Sequence, residues 1–481
     1  MRTYLIACTL SLIVSLILTP LLRDFAIRMN WVDLPDERKI HKNPIPRIGG
    51  IAILIAASVP LLGMAFWTNR LSRMFLQDTN LIWSLVCGGG IIAAVGILDD
   101  LFNIRARYKL LGQIGAGLVV FSFGMKISCL SLPFLGVVCF PEWLSLLITV
   151  FWVTLVINAI NLIDGMDGLA GSVVTLAGVS LFMMSIMEEN LLAALLLISF
   201  VGGTIGFLVY NLNPASVFLG DTGSMSLGFV LSLTAIHSSQ KSYTIFSMIA
   251  AIMVLGLPIF DLSMAIVRRF LSGKPIFGAD QYHIHHILLR KGFSQKQSVL
   301  LLFTFALVLE LLAFLSIYAD DQLAALSILA IIPLGAVSMR FLGYGSIIST
   351  SRKQNFLEAI QKDANEQILY VENWCSRIQD SSWEEVKKEL DELAQRLKWL
   401  SISIERESEV LYCWPESLPS EHIQDCRINQ FSLREAYKCS IYQLAEHEII
   451  PAYARSVQLL VLEHVEQCLL KENSSLEQCV H

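Results

Sequence analysis

The chain has 481 residues, 54% of them hydrophobic and 16% charged, with a mean hydropathy of +0.60. Such a composition excludes an ordinary water-soluble enzyme and describes a protein that lives largely in lipid. Residues 1–341 carry 21 Lys and Arg against 18 Asp and Glu, whereas 342–481 carry 14 against 23, a net of −9 that argues against nucleic acid as a partner.

Apolar runs close to the roughly 20 residues that cross a bilayer recur at about 3–22, 48–67, 81–98, 109–126, 143–160, 169–187, 191–210, 223–239, 243–267, 297–317 and 322–341. The expected fold is therefore an all-α polytopic membrane protein of about 11 transmembrane helices. The first run follows a single arginine, Arg2, without a small-residue cleavage site, and reads as an uncleaved span. Alternate connections differ in charge: one set holds fourteen Lys and Arg, the other three. The positive-inside rule puts the first set in the cytoplasm, with the N-terminus out and the C-terminus in.

The polar constellations all fall in that basic set. The first, Pro35–Gly50, reads PDERKIHKNPIPRIGG, and Arg38, Lys39, Lys42 and Arg47 form a basic collar. Attraction to anionic lipid accounts for the charge; the prolines and Gly49-Gly50 suggest a fixed shape as well. The second opens with Asp99-Asp100 at a span end and continues through Asn103, Arg105, Arg107 and Lys109. Adjacent acids followed by bases suit a metal–phosphate site, carboxylates holding Mg²⁺ and cations holding phosphate oxygens. The third, Asn158–Gly171, reads NAINLIDGMDGLAG and places Asp164 and Asp167 three apart, each followed by glycine. On a helix end that spacing puts both carboxylates on one face, although capping of the following helix would also use them. In the fourth, Asn211–Gly228, Asp221 lies between Gly220 and Gly223 at an N-cap position, with Phe218 available for stacking or for packing. The longest contains Pro258–Asp261 with Arg268-Arg269, then DQYHIHHILLRKGF from Asp280 to Phe293. Its histidines lack the cysteines common in a structural zinc site and, beside Arg290 and Lys291, fit phosphate or sugar contacts better.

Cys129 and Cys139 fall in an outer connection, where a disulfide and two reduced thiols are both open readings. Beyond residue 341 the sequence divides into a helical stalk, 342–400, and a small cytoplasmic α/β module, 401–481. Trp383, Val386, Leu390, Leu393, Leu397 and Leu400 make an amphipathic or coiled-coil stripe in the stalk. Neither part carries a catalytic constellation, which points to regulation or self-association, and a homodimer is left open.

Taken together, Arg47–Gly50, the Asp99-Asp100 pair, N-x-x-N-x-x-D-G-x-D-G-L-A, F-x-G-D-T-G-S and H-I-H-H resemble the polyprenyl-phosphate N-acetylhexosamine-1-phosphate transferases, most closely their WecA/TagO-like branch, which is related to MraY. The resemblance covers nearly all of 1–341. Ile284 within the histidines, and Leu288 where an acid might fall, disfavour the MraY substrate UDP-MurNAc-pentapeptide. The resemblance implies Mg²⁺-dependent transfer (Mn²⁺ being the alternative ion) of a sugar-1-phosphate from a UDP-N-acetylhexosamine to a polyprenyl phosphate lipid. UMP leaves, and a cell-envelope glycan such as O-antigen or a teichoic-acid linkage begins. The implied location is a bacterial inner membrane with the active site on the cytoplasmic face. Motif by motif, Asp221 and then Asp100 are the implied metal ligands, and Asp99 orients or deprotonates the lipid phosphate. Asn161, Asp164 and Asp167 line the nucleotide site, with Phe218 on uracil and Asn158 substrate-binding. His283, His285, His286 and Arg290 meet the diphosphate or sugar, Arg105 and Lys109 meet the lipid phosphate, and Arg47 is substrate-binding. A lipid transporter or scramblase gated by the same charges is the alternative from another class, disfavoured because the charges sit at span ends rather than along the midplane.

Overall fold

The computed structural model describes residues 1–33, 44–66, 69–132, 136–241, 247–271, 282–318 and 321–344, and in the tail parts of 362–378 together with 382–397, 401–406, 409–414, 426–432, 437–444 and residues 458, 461, 462 and 465. Arg38, Lys39, Lys42 and Asp280 lie outside the described residues. The chain divides into two compact units, Met1–Ile348 and Ser349–His481.

The first unit is a helical bundle: α1 (Arg2–Arg28), α2 (Gly49–Gly63), α3 (Arg70–Gln77), α4 (Thr79–Trp83), α5 (Gly89–Phe102), α6 (Ala106–Ser122), α7 (Glu142–Ile163), α8 (Leu169–Met187), α9 (Leu191–Asn211), α10 (Gly220–Lys241), α11 (Ser247–Val254), α12 (Gly256–Leu271), α13 (Ile284–Arg290), α14 (Gln295–Tyr318) and α15 (Asp321–Leu342). Each of the eleven expected runs is largely helical over its described residues. Among the described residues, however, seven helices are long and apolar enough to cross a membrane, or eight if α11 and α12 are one span bent by 78°. The bend falls at Leu255, between the two helices, and Pro258 is tolerated because it sits in the first turn of α12. A π stretch, Ser84–Gly88, joins α4 to α5, making one run of 24 residues, Thr79–Phe102.

The three runs that fall short do so for physical reasons. α2 has 15 residues and α6 has 17. α10 has 22 residues, yet it is polar, carrying Thr222, Ser224, Ser226, Ser232, Thr234 and His237, all buried. It packs on α2, α5, α7, α8, α9 and α11. A helix wrapped by other helices has no need of a lipid-compatible surface, and small polar residues let neighbouring backbones approach. Gly96 of α5 illustrates this: a Cβ there would lie 2.5 Å from the Thr222 Cα.

Between α6 and α7, Cys129–Leu132 (β1) pairs antiparallel with Gly136–Cys139 (β2), Cys129 opposite Cys139. The two cysteines form a disulfide, which decides between the two readings left open by the sequence.

The second unit contains β3 (Ser401–Arg406), β4 (Glu409–Trp414), β5 (Cys426–Ser432) and β6 (Tyr437–Leu444) in one antiparallel sheet of order β4-β3-β6-β5. The helix Trp383–Arg396 starts at a capping box made by Ser382 and Glu385. Its stripe is not a stalk seam: Val386, Leu390, Leu393 and Leu397 share one core with Val371 and Trp374, with Ile402 and Ile404 of β3, and with Ile441 of β6. The apolar repeat serves a sheet-packing face, whose period is the same as that of a coiled coil over so short a helix.

Candidate active site

The site begins where α5 ends. Asp99 and Asp100 occupy adjacent positions, so their side chains point in different directions and meet different partners. Asp99 is buried, 5% exposed, and accepts a hydrogen bond from Lys109 Nζ at 2.8 Å. The same ammonium donates to Asp221 Oδ2 at 2.9 Å. Lys109 therefore bridges carboxylates that are 122 residues apart in sequence, one at the end of α5 and one in the first turn of α10.

Asp100 does something else. Its Oδ1 accepts from the Asp221 N–H at 2.8 Å, and its Oδ2 accepts from the Thr222 N–H at 2.9 Å and the Thr222 hydroxyl at 2.6 Å. It thus caps the N-terminus of α10 across the bundle, satisfying donors that the helix cannot satisfy itself. The expectation that Asp100 is a second metal ligand meets both of its oxygens already committed. The expectation that Asp221 caps α10 is corrected as well. Asp100 is the cap, and the Asp221 carboxylate turns instead to Lys109 and to Asn161 Nδ2, which donates to both Asp221 Oδ1 and Ser224 Oγ.

Glycines make this junction possible. Gly220 adopts φ +74°, and a Cβ on it would meet both Asp100 oxygens at 2.8 Å. A Cβ on Gly50 would lie 2.1 Å from the Gly223 nitrogen. The N-terminus of α2 is held against the same loop by Gly49 and Gly50 N–H groups donating to the Phe218 and Leu219 carbonyls, and by Phe218 N–H donating to the Pro46 carbonyl. This explains the pattern R-x-G-G: its glycines let α2 approach α10, while Arg47 pairs with Asp33 at 2.9 Å. Phe218 is half-buried in this junction.

The Asn158–Gly171 stretch supplies the second wall. Asn158 exchanges hydrogen bonds with Gln113 of α6, the shorter at 2.6 Å, one turn inward from Asn161. Asp164 and Asp167 do not share a helix face. Asp164 is the C-terminal cap residue of α7; withdrawal from water, then the like charges of Asp100 and Asp167, hold its carboxyl well above the usual carboxylate range, with Arg47 opposing. Asp167 accepts from Asn213 Nδ2 at 2.9 Å and from the Ala215 N–H at 3.1 Å. Gly168, at φ +74°, donates its N–H to Asn211 Oδ1. The turn between α7 and α8 is thereby fastened to the loop that leads into Asp221.

The histidines close the third side. His285 is buried, 2% exposed, and its ring lies on the turn: a Cβ at Gly165 would be 2.2 Å from His285 Nε2. Neither ring nitrogen has a hydrogen-bond partner, and burial, then His286 and His283, depress its pKa well below the ordinary histidine value. His286 lies at 4.2 Å from it between ring centroids, and His283 at 6.0 Å in a stacked arrangement. Asp261, from the middle of α12, holds the group in place: it accepts from the Ile284 N–H at 3.0 Å and pairs with His283 Nδ1 at 3.2 Å. Arg290 is exposed and lies 4.3 Å from the centroid of Tyr282, and Arg105 is exposed at the start of α6. Asp261, Gln113, Asn211 and Asn213 carry site geometry that the sequence alone did not assign. Their signal was present, since each is a polar residue within or beside an apolar run.

Three facts bear on a metal. The Asp99 and Asp221 oxygens converge on one ammonium, the position a cation between them takes. Acids outnumber bases: Asp99, Asp100, Asp164, Asp167 and Asp221 stand with Lys109 and Arg47. Among the described residues no three Asp, Glu, His or Cys side chains converge as a metal cage. That donor set fits Mg²⁺, which is held by one or two carboxylates with the remaining positions left to water and substrate phosphates.

Acids at span ends around a bridging cation, within a helical bundle, are an arrangement suited to phosphoryl transfer at a membrane boundary. Residues 82–239 match the family described as Glycosyl transferase family 4. The chain is 37% identical over 308 residues to a protein of Bacillus subtilis (strain 168) named a probable undecaprenyl-phosphate N-acetylglucosaminyl 1-phosphate transferase, covering 64% of this chain and 83% of that one. It is 30% identical over 335 residues, 65% of this chain and 82% of the other, to a decaprenyl-phosphate N-acetylglucosaminephosphotransferase of Mycolicibacterium smegmatis. It is 28% identical over 308 residues, 62% and 79% of the two chains, to an Escherichia coli (strain K12) undecaprenyl-phosphate alpha-N-acetylglucosaminyl 1-phosphate transferase. The chain belongs to the polyprenyl-phosphate N-acetylhexosamine-1-phosphate transferase family, in its WecA/TagO-like branch. An enzyme, rather than a transporter, is what that membership means.

Proposed function

We propose that the protein transfers N-acetylglucosamine-1-phosphate from UDP-N-acetylglucosamine to undecaprenyl phosphate, releasing UMP and starting a cell-envelope glycan. The observation that carries this reading is the Lys109 ammonium between Asp99 and Asp221. The names of the relatives support the sugar phosphate and the polyprenyl phosphate.

Both reactants are anions, so the site must first remove their repulsion. Lys109 is positioned to exchange a carboxylate partner for an incoming phosphate oxygen, an exchange of equals for a charge-assisted hydrogen bond. Asp221, steadied by Asn161 and by the Asp100 cap, would hold Mg²⁺, with Asp99 beside it. The ion would neutralise the diphosphate and polarise its phosphorus. Asp99 orients the attacking oxygen through Lys109; with a second pKa near roughly 6, the lipid phosphate is already largely dianionic at neutral pH and needs little base catalysis. Asp164 and Asp167 border the nucleotide, and His285, neutral and lacking a hydrogen-bond partner, is available to the sugar or diphosphate. The acids sit at helix ends because a lipid phosphate stays at headgroup depth while its isoprenoid chain remains in hydrocarbon.

The cytoplasmic face of a bacterial inner membrane is the proposed location. The basic bias of the site-bearing loops supports it, as does the disulfide on an opposite connection, which suits an oxidising compartment. The test is UMP release by purified protein offered undecaprenyl phosphate, Mg²⁺ and a panel of UDP-sugars. Release with UDP-N-acetylglucosamine, absent without lipid or metal, is expected. Release only with UDP-MurNAc-pentapeptide would overturn the substrate, and no release with any donor would overturn the reaction.

A further inference from the structure

α12, α14 and α15 leave between them a cavity of about 640 Å³, walled by Phe260, Leu301, Phe305, Val337 and Phe341, with Ile284 of α13 at one side. α14 and α15 are both apolar enough to span a membrane, so the cavity lies at hydrocarbon depth. It takes the first half of α14 and the last half of α15, and so lies toward the membrane boundary that carries α13.

Its mouth is cationic. Lys291 Nζ lies 5.1 Å over the Phe341 ring and donates to the Phe341 carbonyl at 2.6 Å. Arg340 precedes Phe341, Lys296 precedes the lining residue Gln297, and all three cations are exposed. No acid occurs in residues 282–309 or 322–344. An apolar slot at membrane depth, whose described mouth residues are positive and include no acid, matches an acyl chain joined to an anionic headgroup.

We propose that this groove binds an anionic glycerophospholipid of the surrounding membrane, its acyl chain in the slot and its phosphate at Lys291 and Arg340. The occupant is a bulk lipid rather than the polyprenyl phosphate of the proposed reaction, on which reading this distinction rests. The acceptor phosphate must reach Lys109 and Asp221, on α6 and α10, whereas α14 packs on α8, α11, α12, α13 and α15. The groove also has a way to act on the site. Ile284 borders it, and the next residue, His285, lies on Gly165. Lipid in the groove supports the short helix α13 from behind.

Native mass spectrometry of the full chain, titrated with phosphatidylglycerol and with phosphatidylcholine, tests this. Wild type should retain phosphatidylglycerol roughly tenfold more tightly. Filling the slot with Val337→Trp, or separately Leu301→Trp, should remove bound lipid of either kind. The folded double variant Lys291→Gln/Arg340→Gln should bind both lipids equally. Equal retention of the two lipids by wild type would overturn the proposal, as would a preference that survives the charge variant. Displacement of phosphatidylglycerol by undecaprenyl phosphate, with a raised acceptor KM in Val337→Trp, would reassign the groove to the acceptor. Failure of UMP release with normal phosphatidylglycerol retention would count against the reaction alone.

Discussion

At the residue scale the site is a set of polar groups that have exchanged obvious partners for distant ones. Asp221, first acid of α10, is relieved of capping by Asp100 and so keeps its carboxylate for Lys109 and Asn161. A cap of this kind contributes about 1 kcal/mol to helix stability, but here it also fixes the direction of the neighbouring acid. His285 has the opposite character, a titratable group kept neutral. Its folded pKa lies well below its unfolded value, so the native state binds fewer protons near and below pH ~6.5. Stability is then full above the unfolded pKa and falls as pH drops, with a slope of up to about 1.4 kcal/mol per pH unit. The apparent Tm of wild type in detergent should fall from pH 7.5 to pH 5.5 more steeply than that of His285→Gln. Parallel curves would mean that His285 is hydrated and titrates normally.

At the element scale, close approach of helices decides what substitutions are tolerated. Gly50→Ala would press a methyl group into the Gly223 backbone, which cannot yield without moving α10. Overpacking costs about 1–3 kcal/mol, so a lower Tm and reduced UMP release are expected together. Gly90→Ala, where a Cβ meets nothing within 4 Å, should leave both unchanged and serves as the control. The positions of these helices were legible in the sequence, because apolar runs of span length are a strong signal, and so were the acids at their ends. Which acid does what was not legible. Asp100 and Thr222 stand 122 residues apart, and no local pattern distinguishes a cap across a bundle from a metal ligand. The same limit hid the role of Asp261, whose partner His283 stands 22 residues further on. The spacing of Asp164 and Asp167 puts both on one face only of a helix, and 164–168 is a turn between α7 and α8. α10 is wrapped by other helices, an environment that hydropathy, which reports length and polarity, does not disclose.

At the scale of the whole molecule, the candidate site falls within one of the two units. Every carboxylate of the site, with Lys109 and the histidines, lies within Met1–Ile348, and Ser349–His481 forms its own core. Deletion of 349–481 should leave kcat in detergent within roughly a factor of two, as expected when no transition-state contact is removed. Loss of activity from a truncated protein that still melts cooperatively would mean that the tail completes the site. The curated relatives named above are matched over 62–65% of this chain.

The central claim is that Asp221, bridged by Lys109 to Asp99, is the reaction centre. The most direct measurement is UMP release by wild type and Asp221→Asn in one assay, with Mg²⁺ and with a chelator. Asp221→Asn is isosteric and keeps the backbone N–H that Asp100 caps. It should melt as wild type does yet release UMP about 10²–10³-fold more slowly, the loss expected when a group stabilising transition-state charge is removed. Chelator should lower wild type to a similar level. Near-normal release by folded Asp221→Asn would contradict the account.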